Sequence, residues 1–294
     1  LAQFEHAEWE DDPAERRRLL SFAVIGGGPT GIEFAGALSE LITLLLRRDY
    51  RRIGEDEPTI RLFEGGDRLL SAFHPRLSAA ALRSVRRKGV EVELGTMVET
   101  VEPDRIRLRG GREAPAGTVV WTAGVRGVDL DLGRLVERSR DHQIPVTETL
   151  QMEDQPEVFV IGDGAGRGGL PMLIPVAMQQ AVYLAKSIPA GRAQAPFRYH
   201  DPGIMATIGR YSGVAQIGRI RVSGAPGWAM WLGVHLINVM TFRARAVVLF
   251  NWAWDYVFYD RPVRIDVRAG AGPQVTVEDP SRTAPATAAE KTVP

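Results

Sequence analysis

The 294-residue sequence contains no cysteine, which excludes disulfide bonds, thiolate metal sites and cysteine-based catalysis from these residues. Its five histidines are scattered, and no two of them have the spacing of a metal site. Neither sign of charge is in excess, because 36 Lys and Arg residues balance 36 Asp and Glu residues. The composition therefore predicts neither a metal centre nor a nucleic-acid partner.

The N-terminus shows no secretory signal peptide, and the first residue is Leu1 rather than Met. We therefore expect an N-terminally truncated chain. Its length suffices for two domains, or for one large domain with an appendage.

A glycine-rich turn lies between an apolar strand and a helical pattern in VIGGGPTGIEFAGAL, residues 24–38. In a dinucleotide-binding turn, Gly26 would form the tight bend, Gly28 would let a pyrophosphate approach, and Gly31 would pack helix against strand. The helix N-terminus, with Thr30 in its first turn, favours an anion. We predict a dinucleotide loop here; an ordinary glycine-rich turn is the alternative.

The next two elements extend this pattern. A helix is predicted over residues 30–52, with small Gly36 where helix and sheet approach closely. TIRLFEGGD then predicts a second strand ending at Glu64, where a carboxylate would bond the ribose of NAD and repel a 2′-phosphate. The alternatives are a simple strand-end carboxylate and, through nearby Arg68, NADP.

Further along the chain, the pattern predicts a helix over residues 75–88, a short antiparallel meander and the return strand TVVWTAG. Together with the first strands they form a mononucleotide-binding α/β domain that closes near Gly124. EVFVIGDGAG predicts a later strand with Asp163 at its tip. Because it lacks the three-glycine spacing, this segment is not a second complete phosphate loop.

These motifs resemble the two-dinucleotide flavoprotein reductases, in which an NAD domain is inserted into an FAD domain. In that family a Thr-Ala-Gly segment marks the point where the chain leaves the NAD domain. Thr122, Ala123 and Gly124 match that segment here. A later Gly-Asp pair, matched by Gly162 and Asp163, reaches the flavin. The resemblance implies that the loop at Gly26 holds NAD. It also implies that the first FAD-binding half would precede residue 1, so we expect weak FAD retention or none.

The segment VAMQQAVYLAK resembles the Ala-x-Gln-Gln helix of type II NADH:quinone oxidoreductases, and Ala177, Gln179 and Gln180 match it. In that family the helix lies beside the flavin and lines the quinone pocket. An amide can bond a quinone carbonyl without placing a charge in an apolar tunnel. Pro175 replaces a Gln often found before this motif. An exposed polar pair on a helix is the alternative.

Glu33 follows the third glycine by two residues, as in the same family, where this carboxylate lies near the meeting point of nicotinamide and flavin. The resemblance implies a role in substrate binding and proton traffic, because a quinone takes up two protons. A structural role is the alternative, since a carboxylate in the first helical turn is favoured by the helix dipole.

Residues 227–260 hold two apolar runs rich in aromatic residues. The first run, residues 228–242, is about 15 residues or about 22 Å of helix, short of the roughly 30 Å of a bilayer core. We predict a helical hairpin that lies in one leaflet and gives peripheral membrane association. The alternative is packing on the protein's own core or at a homodimer interface.

The resemblance implies an FAD-dependent NADH:quinone oxidoreductase of the respiratory chain, peripheral on the cytoplasmic face of the inner or plasma membrane, with FAD and NADH as cofactors and a quinone as partner. The alternatives are a non-catalytic, NAD-binding, membrane-associated remnant and a soluble FAD-dependent NAD(P)H reductase with another acceptor. The expected fold class is α/β, a Rossmann-type NAD-binding domain followed by part of a split FAD-binding domain and a helical hairpin. The expected domains are a linking helix (1–20), the NAD-binding domain (21–124), the C-terminal part of the FAD-binding domain (125–226), membrane-associating helices (227–262) and a disordered tail (263–294).

Overall fold

The computed structural model describes residues 1–129, 136–188, 195–239 and 241–258. The chain divides into two compact units, Leu1–Trp252 and Ala253–Pro294, and the fold below is that of the first unit. The helices are α1 (Ala2–Trp9), α2 (Pro13–Leu19), α3 (Pro29–Arg48), α4 (Pro75–Arg87), α5 (Ile174–Ser187), α6 (Ala225–Asn238) and α7 (Phe242–Phe258). The strands are β1 (Ser21–Ile25), β2 (Thr59–Phe63), β3 (Val90–Glu93), β4 (Val98–Val101), β5 (Arg105–Leu108), β6 (Glu113–Pro115), β7 (Thr118–Trp121), β8 (Ile144–Pro145), β9 (Ala165–Gly166), β10 (Ile204–Thr207), β11 (Gly213–Ile217) and β12 (Ile220–Gly224).

A parallel sheet with strand order β3-β2-β1-β7 forms the centre of the region from β1 to β7. Every residue of β1 is buried, as expected for a central parallel strand covered on both faces. The carboxyl ends of parallel strands lie along one edge of the sheet. Ile25 and Phe63 pair at that edge, so the glycine loop and Glu64 leave neighbouring strands side by side.

The side chains of β1 alternate between two hydrophobic cores. Phe22 and Val24 lie in the larger core, with residues of α3 and α4. Ala23 and Ile25 lie in a second core, formed with the antiparallel meander β4-β5-β6. The sheet is therefore the middle of three layers. The predicted α/β class, with a parallel sheet and a meander, is confirmed.

Helix α3 ends at Arg48, four residues before its predicted end. The chain turns there because Tyr50 is drawn into the core against α1. Its ring lies 5.4 Å from that of Phe4, and its hydroxyl donates a 2.9 Å hydrogen bond to Glu5. The region predicted as one linking helix over residues 1–20 contains two short helices, and Phe4 packs into the core beside Phe22.

The predicted strand in EVFVIGDGAG does not form. Phe159 makes one isolated bridge to Gln151, and Gly162–Gly164 form a single 3₁₀ turn. A strand needs a neighbouring strand along its length, and the segment beside 157–161 is only the short stretch 150–152, joined by the Met152 N–H to the Val158 carbonyl and by the Val160 N–H to the Leu150 carbonyl. The local apolar run was therefore a poor guide to the backbone in this segment.

Strands β10, β11 and β12 form an antiparallel sheet, here called the C-terminal sheet, which packs on α3 and α4. Ala206, Ile208 and Val214 are at most 1% exposed and lie in the same core as β1. Gly36 permits this approach, because a Cβ added there would lie 2.9 Å from the Ile208 carbonyl carbon. The close helix–sheet approach predicted at Gly36 therefore involves the C-terminal sheet and not the parallel sheet.

Helix α6 packs on the other face of the C-terminal sheet. Gly227 lies against Gly213, where an added Cβ would meet the Gly213 carbonyl oxygen at 2.7 Å. Among the described residues no helix has the length and apolar character needed to cross a membrane. Residues 259–262 and the predicted tail 263–294 lie outside the described residues.

Candidate functional site

The glycine loop after β1 has the geometry that its three spaced glycines predict. Gly26 has φ of +110°, and an added Cβ would lie 2.9 Å from both the Ala123 nitrogen and the Thr122 hydroxyl oxygen. At Gly31 an added Cβ would lie 1.8 Å from the Gly26 carbonyl oxygen. Side chains are therefore excluded at the first and third glycines. At Gly28 an added Cβ would have no atom within 4 Å, so the backbone here is open to an approaching group.

Free donors surround this opening. The backbone N–H groups of Gly28, Thr30 and Gly31 make no hydrogen bond within the described part of the chain. They begin the 20-residue helix α3, whose dipole adds positive potential at its N-terminus. Unpaired amides beside an unobstructed backbone fit the diphosphate of a dinucleotide.

Glu64 lies beside the loop and holds it in place. One carboxylate oxygen accepts the Gly27 N–H at 2.6 Å, and the other accepts the Gly66 N–H at 2.6 Å. Each oxygen keeps capacity for a further donor. The carboxylate thus joins the ends of β1 and β2 and remains able to accept a hydroxyl from a bound ribose.

Thr122 is a contributor that the sequence analysis did not single out. Its hydroxyl donates to the Ile25 carbonyl at 2.8 Å and lies 3.3 Å from the Gly26 carbonyl. This contact ties the end of β7, and so the turn at Gly124 with φ of +79°, to the glycine loop. The only signal in the sequence was the TAG segment itself, which indicated a boundary and not a contact.

Glu33 lies one turn into α3 and faces the C-terminal sheet, where its carboxylate accepts the Thr207 N–H at 2.9 Å. Burial raises the pKa of this carboxyl above its ordinary value, against the opposing effects of the Thr207 hydrogen bonds and of His235 on α6. A carboxyl with a raised pKa keeps its proton to a higher pH than an ordinary glutamic acid does. Thr207 was missed because the 2.9 Å hydrogen bond comes from its backbone N–H, a group that no sequence pattern distinguishes.

A second group of predicted residues meets at the N-terminal half of α5. Gln180 is 1% exposed, and its side-chain oxygen accepts the Gly162 N–H at 2.6 Å. Ala177 lies against Gly162, whose added Cβ would be 3.6 Å from the Ala177 methyl. Helix α5 therefore fixes the turn that carries Asp163. The Asp163 side chain is exposed and makes no hydrogen bond or ion pair with the described residues, so it can accept ligand hydroxyls.

Gln179 has a different environment. Its amide donates to the His200 carbonyl at 2.8 Å and accepts the His200 N–H at 2.9 Å. Both ends of this side chain are thus used to hold the segment that leads to β10. Beside it lies a largely apolar groove of about 470 Å³. The groove is lined by Met178, Gln179, Val182, Tyr183, Lys186, Phe197 and Arg198.

The structure therefore assembles the predicted residues in separate places. Gly26, Gly28, Gly31 and Glu64 share the edge of the parallel sheet, while Gly162 and Asp163 meet Ala177 and Gln180 at α5. Glu33 faces the C-terminal sheet, one turn beyond the loop. No group of three or more potential metal ligands occurs among the residues that the structure describes.

Comparisons with known proteins show which family and fold the chain resembles. Residues 2–181 match the family model of the pyridine nucleotide-disulphide oxidoreductases. A type II NADH:quinone oxidoreductase of Mycobacterium tuberculosis is 35% identical over 271 residues, covering 87% of this chain and 58% of that protein. A mitochondrial internal alternative NAD(P)H-ubiquinone oxidoreductase of Arabidopsis thaliana is 32% identical, covering 83% of this chain and 52% of that protein. The chain thus spans about half the length of the curated relatives that it matches.

Among solved structures, NDH2 of Plasmodium falciparum in complex with NADH aligns with a TM-score of 0.79 at 16% identity. The alignment covers 87% of this chain and 70% of that one, and it shows a shared fold. From its family match over residues 2–181, the chain belongs to the pyridine nucleotide-disulphide oxidoreductase family.

Proposed function

We propose that this chain forms the NADH-binding part and one wall of the flavin site of a type II NADH:quinone oxidoreductase. The main support for this proposal is the glycine loop, where side chains are excluded at Gly26 and Gly31 while the backbone at Gly28 has free space beside it. The 35% identity to a type II NADH:quinone oxidoreductase supports the choice of this activity within the family. In domain terms, residues 21–124 would bind NADH and residues 125–226 would contribute to the flavin site.

In this proposal the N–H groups of Gly28, Thr30 and Gly31 bind the diphosphate of NADH, and Glu64 accepts the adenosine ribose hydroxyls. The side chain of Arg68 supports NADH over NADPH, because its guanidinium donates to the Ser71 carbonyl at 2.7 Å. This bond directs one of the five guanidinium N–H donors toward Ser71 and away from a 2′-phosphate beside Glu64.

The residues around Asp163 fit a flavin, since its exposed carboxylate has no partner among the described residues and follows Gly162, whose N–H is bonded by the buried Gln180. Bound FAD would supply the redox chemistry, accepting hydride from NADH and passing two electrons to a quinone. Gly124, Gly162 and Asp163 would hold the group, and Gln180 would position their turn. Glu33 would hold a proton, because its burial favours the protonated form.

The quinone and the membrane complete the proposal. The apolar groove beside Gln179 would receive the quinone, with Ala177 and Gln180 on the same helix. The helices that follow the C-terminal sheet expose large apolar side chains, among them Ile237 at 67%, Phe242 at 84% and Phe250 at 66%. Such side chains favour peripheral association with a bilayer. We place the protein on the cytoplasmic face, where NADH is available.

The test is binding and turnover with the purified chain. We expect NADH to bind in isothermal titration calorimetry and to be displaced by NAD⁺. The complete protein should retain FAD and reduce a soluble quinone with NADH. NADH binding without flavin-dependent quinone reduction by the complete protein would instead identify a non-catalytic nucleotide-binding protein. Absence of NADH binding would overturn the proposal.

A further inference from the structure

A basic cleft lies between α4 and β12, away from the sites described above. It has a volume of about 560 Å³ and is lined by four arginines, two on the helix and two at the β11–β12 hairpin. We call it the arginine cleft. Its arginines are Arg76, Arg83, Arg219 and Arg221.

The arginine cleft has no acidic residue in its lining. None of its four guanidinium groups forms an ion pair with a carboxylate in the described part of the chain, although the complete sequence is balanced in charge. The local positive potential is also felt by His74, whose pKa is lowered first by desolvation and then by Arg221 and Arg76. Like charges gathered in one cleft repel one another, so an anion bound there would relieve that repulsion.

The register of the hairpin gives its two faces different character. Arg221 pairs with Gln216, which bonds the backbone of His74, so both lie on the face toward α4. Ile220 pairs with Ile217 and lies on the face that carries α6. Ile220 is 61% exposed. The hairpin therefore carries an exposed apolar side chain at its tip, between Arg219 and Arg221 in the sequence and on the face opposite Arg221.

Arginines together with an exposed apolar side chain are suited to binding the surface of a bilayer. One guanidinium group can donate two parallel hydrogen bonds to the oxygens of a phosphate. At a bilayer surface, arginines bind the lipid headgroups while nearby exposed apolar side chains enter the boundary of the acyl chains. The chain continues from β12 directly into α6, which exposes Val234 at 36% and Ile237 at 67%. The apolar surface proposed for membrane association thus follows the arginine-bearing hairpin directly in the sequence.

We propose that the arginine cleft binds the phosphate headgroups of anionic phospholipids. This proposal rests on the membrane association in the proposed function, and it specifies anionic phospholipids as the lipids that the protein prefers. Each arginine near an anionic surface strengthens binding by roughly fivefold, so the four together should contribute about 600-fold.

The experiment is vesicle flotation of the full chain. The parent should float with phosphatidylcholine vesicles that contain about one third phosphatidylglycerol, and more weakly with phosphatidylcholine alone. The variant with Arg76→Gln, Arg83→Gln, Arg219→Gln and Arg221→Gln should lose about 600-fold in partitioning to the anionic vesicles. The same four positions changed to Lys should retain most of it, which separates charge from any effect on folding.

A matched control removes four exposed arginines elsewhere, through Arg17→Gln, Arg51→Gln, Arg86→Gln and Arg140→Gln. This control should float much like the parent, and both glutamine variants should bind NADH like the parent. Equal losses in the two variants would mean that total charge, and not the arginine cleft, controls binding. Full retention by the cleft variant would overturn the inference while leaving membrane association intact.

Two further outcomes separate the inference from its premise. Failure of the parent to float on any vesicle would contradict the membrane association itself, and the inference with it. Titration with inorganic phosphate distinguishes the source of the anion. Tight phosphate binding that the cleft variant abolishes, without any change in flotation, would identify a site for a soluble anion and overturn the lipid assignment.

Discussion

Glu33 and Thr207, 174 residues apart in the chain, are joined by a 2.9 Å hydrogen bond from the Thr207 N–H to the Glu33 carboxylate. The bond connects the first turns of α3, which begin at the glycine loop, to the edge of the C-terminal sheet. Glu33 therefore has a structural function that is independent of any part in proton transfer.

The first prediction concerns Glu33 and pH. Burial raises the pKa of the Glu33 carboxyl in the folded protein above its value in the unfolded chain. The carboxyl therefore contributes to the free energy of unfolding below its unfolded pKa, and this contribution is lost as the pH rises through the folded pKa. Glu33→Gln keeps an oxygen for the Thr207 N–H and removes the buried charge. We expect the variant to gain stability relative to the parent at pH 8 but not at pH 4, in urea unfolding at each pH. A gain of equal size at both pH values would contradict the raised pKa.

The second prediction compares two glycines of the loop. Gly31→Ala would place a Cβ 1.8 Å from the Gly26 carbonyl oxygen. The loop must move, and we expect a loss of about 1–3 kcal/mol in stability with at least about tenfold weaker NADH binding. Gly28→Ala meets no atom within 4 Å, so it should change stability by less than about 0.5 kcal/mol.

The Gly28→Ala variant should nevertheless bind NADH about tenfold more weakly, because its methyl occupies the space through which the diphosphate approaches. Calorimetric titration and urea unfolding separate the two effects. Unchanged NADH affinity in Gly28→Ala would mean that the diphosphate lies elsewhere.

The third prediction tests the carboxylate at the end of β2. Glu64→Gln leaves one of the two backbone donors, the N–H of Gly27 or Gly66, facing an amide NH₂. We expect a loss of about 1–2 kcal/mol in stability and about tenfold in NADH affinity. Affinity for NADPH should fall less, since a carboxylate repels the 2′-phosphate. Glu91→Gln, which removes a surface partner of Arg61 on the next strand, is the control. An equal loss for both nucleotides would argue against ribose recognition.

The fourth prediction distinguishes the two adjacent glutamines of α5. Gln180→Ala removes a buried acceptor and leaves the Gly162 N–H unpaired, which should cost about 2–3 kcal/mol of stability. Gln179→Ala removes two bonds to the exposed His200 backbone and should cost about 1 kcal/mol or less. In the complete protein, Gln180→Ala should also weaken FAD retention, measured by flavin absorbance after gel filtration. Equal effects of both variants on flavin would contradict a positioning role for Gln180 alone.

The sequence predicted the local elements around the glycine loop well, because the parallel strands are short apolar runs and α4 has helical periodicity. Their signals lie within each segment. The end of α3 was misplaced because it depends on Tyr50 packing against Phe4, a contact between distant segments. The strand expected before Asp163 failed for a related reason, since a strand is defined by its neighbour and not by its own composition.

The sequence predicted the parts of the candidate site that require particular residue types. It did not predict the contacts that backbone groups make. The spacing of Gly26, Gly28 and Gly31 follows from the turn they form. The roles of Thr207 and His200 depend on main-chain atoms, which every residue carries, so no pattern in the sequence could identify them. The packing of the C-terminal sheet on α3 was likewise missed, apart from the small residue at Gly36.

The two glycines of α3 fix a distance that evolution cannot easily alter. Gly31 fits under the loop and Gly36 fits under Ile208, five residues further along one rigid rod. Inserting a single residue between them would rotate the second contact by about 100° around the helix and advance it by about 1.5 Å. Ala35 or the inserted residue would then face Ile208, and its Cβ would lie 2.9 Å from the Ile208 carbonyl carbon. Homologues that keep both contacts should therefore have five residues from the first glycine to the second, without insertions or deletions, even where the residues between them differ.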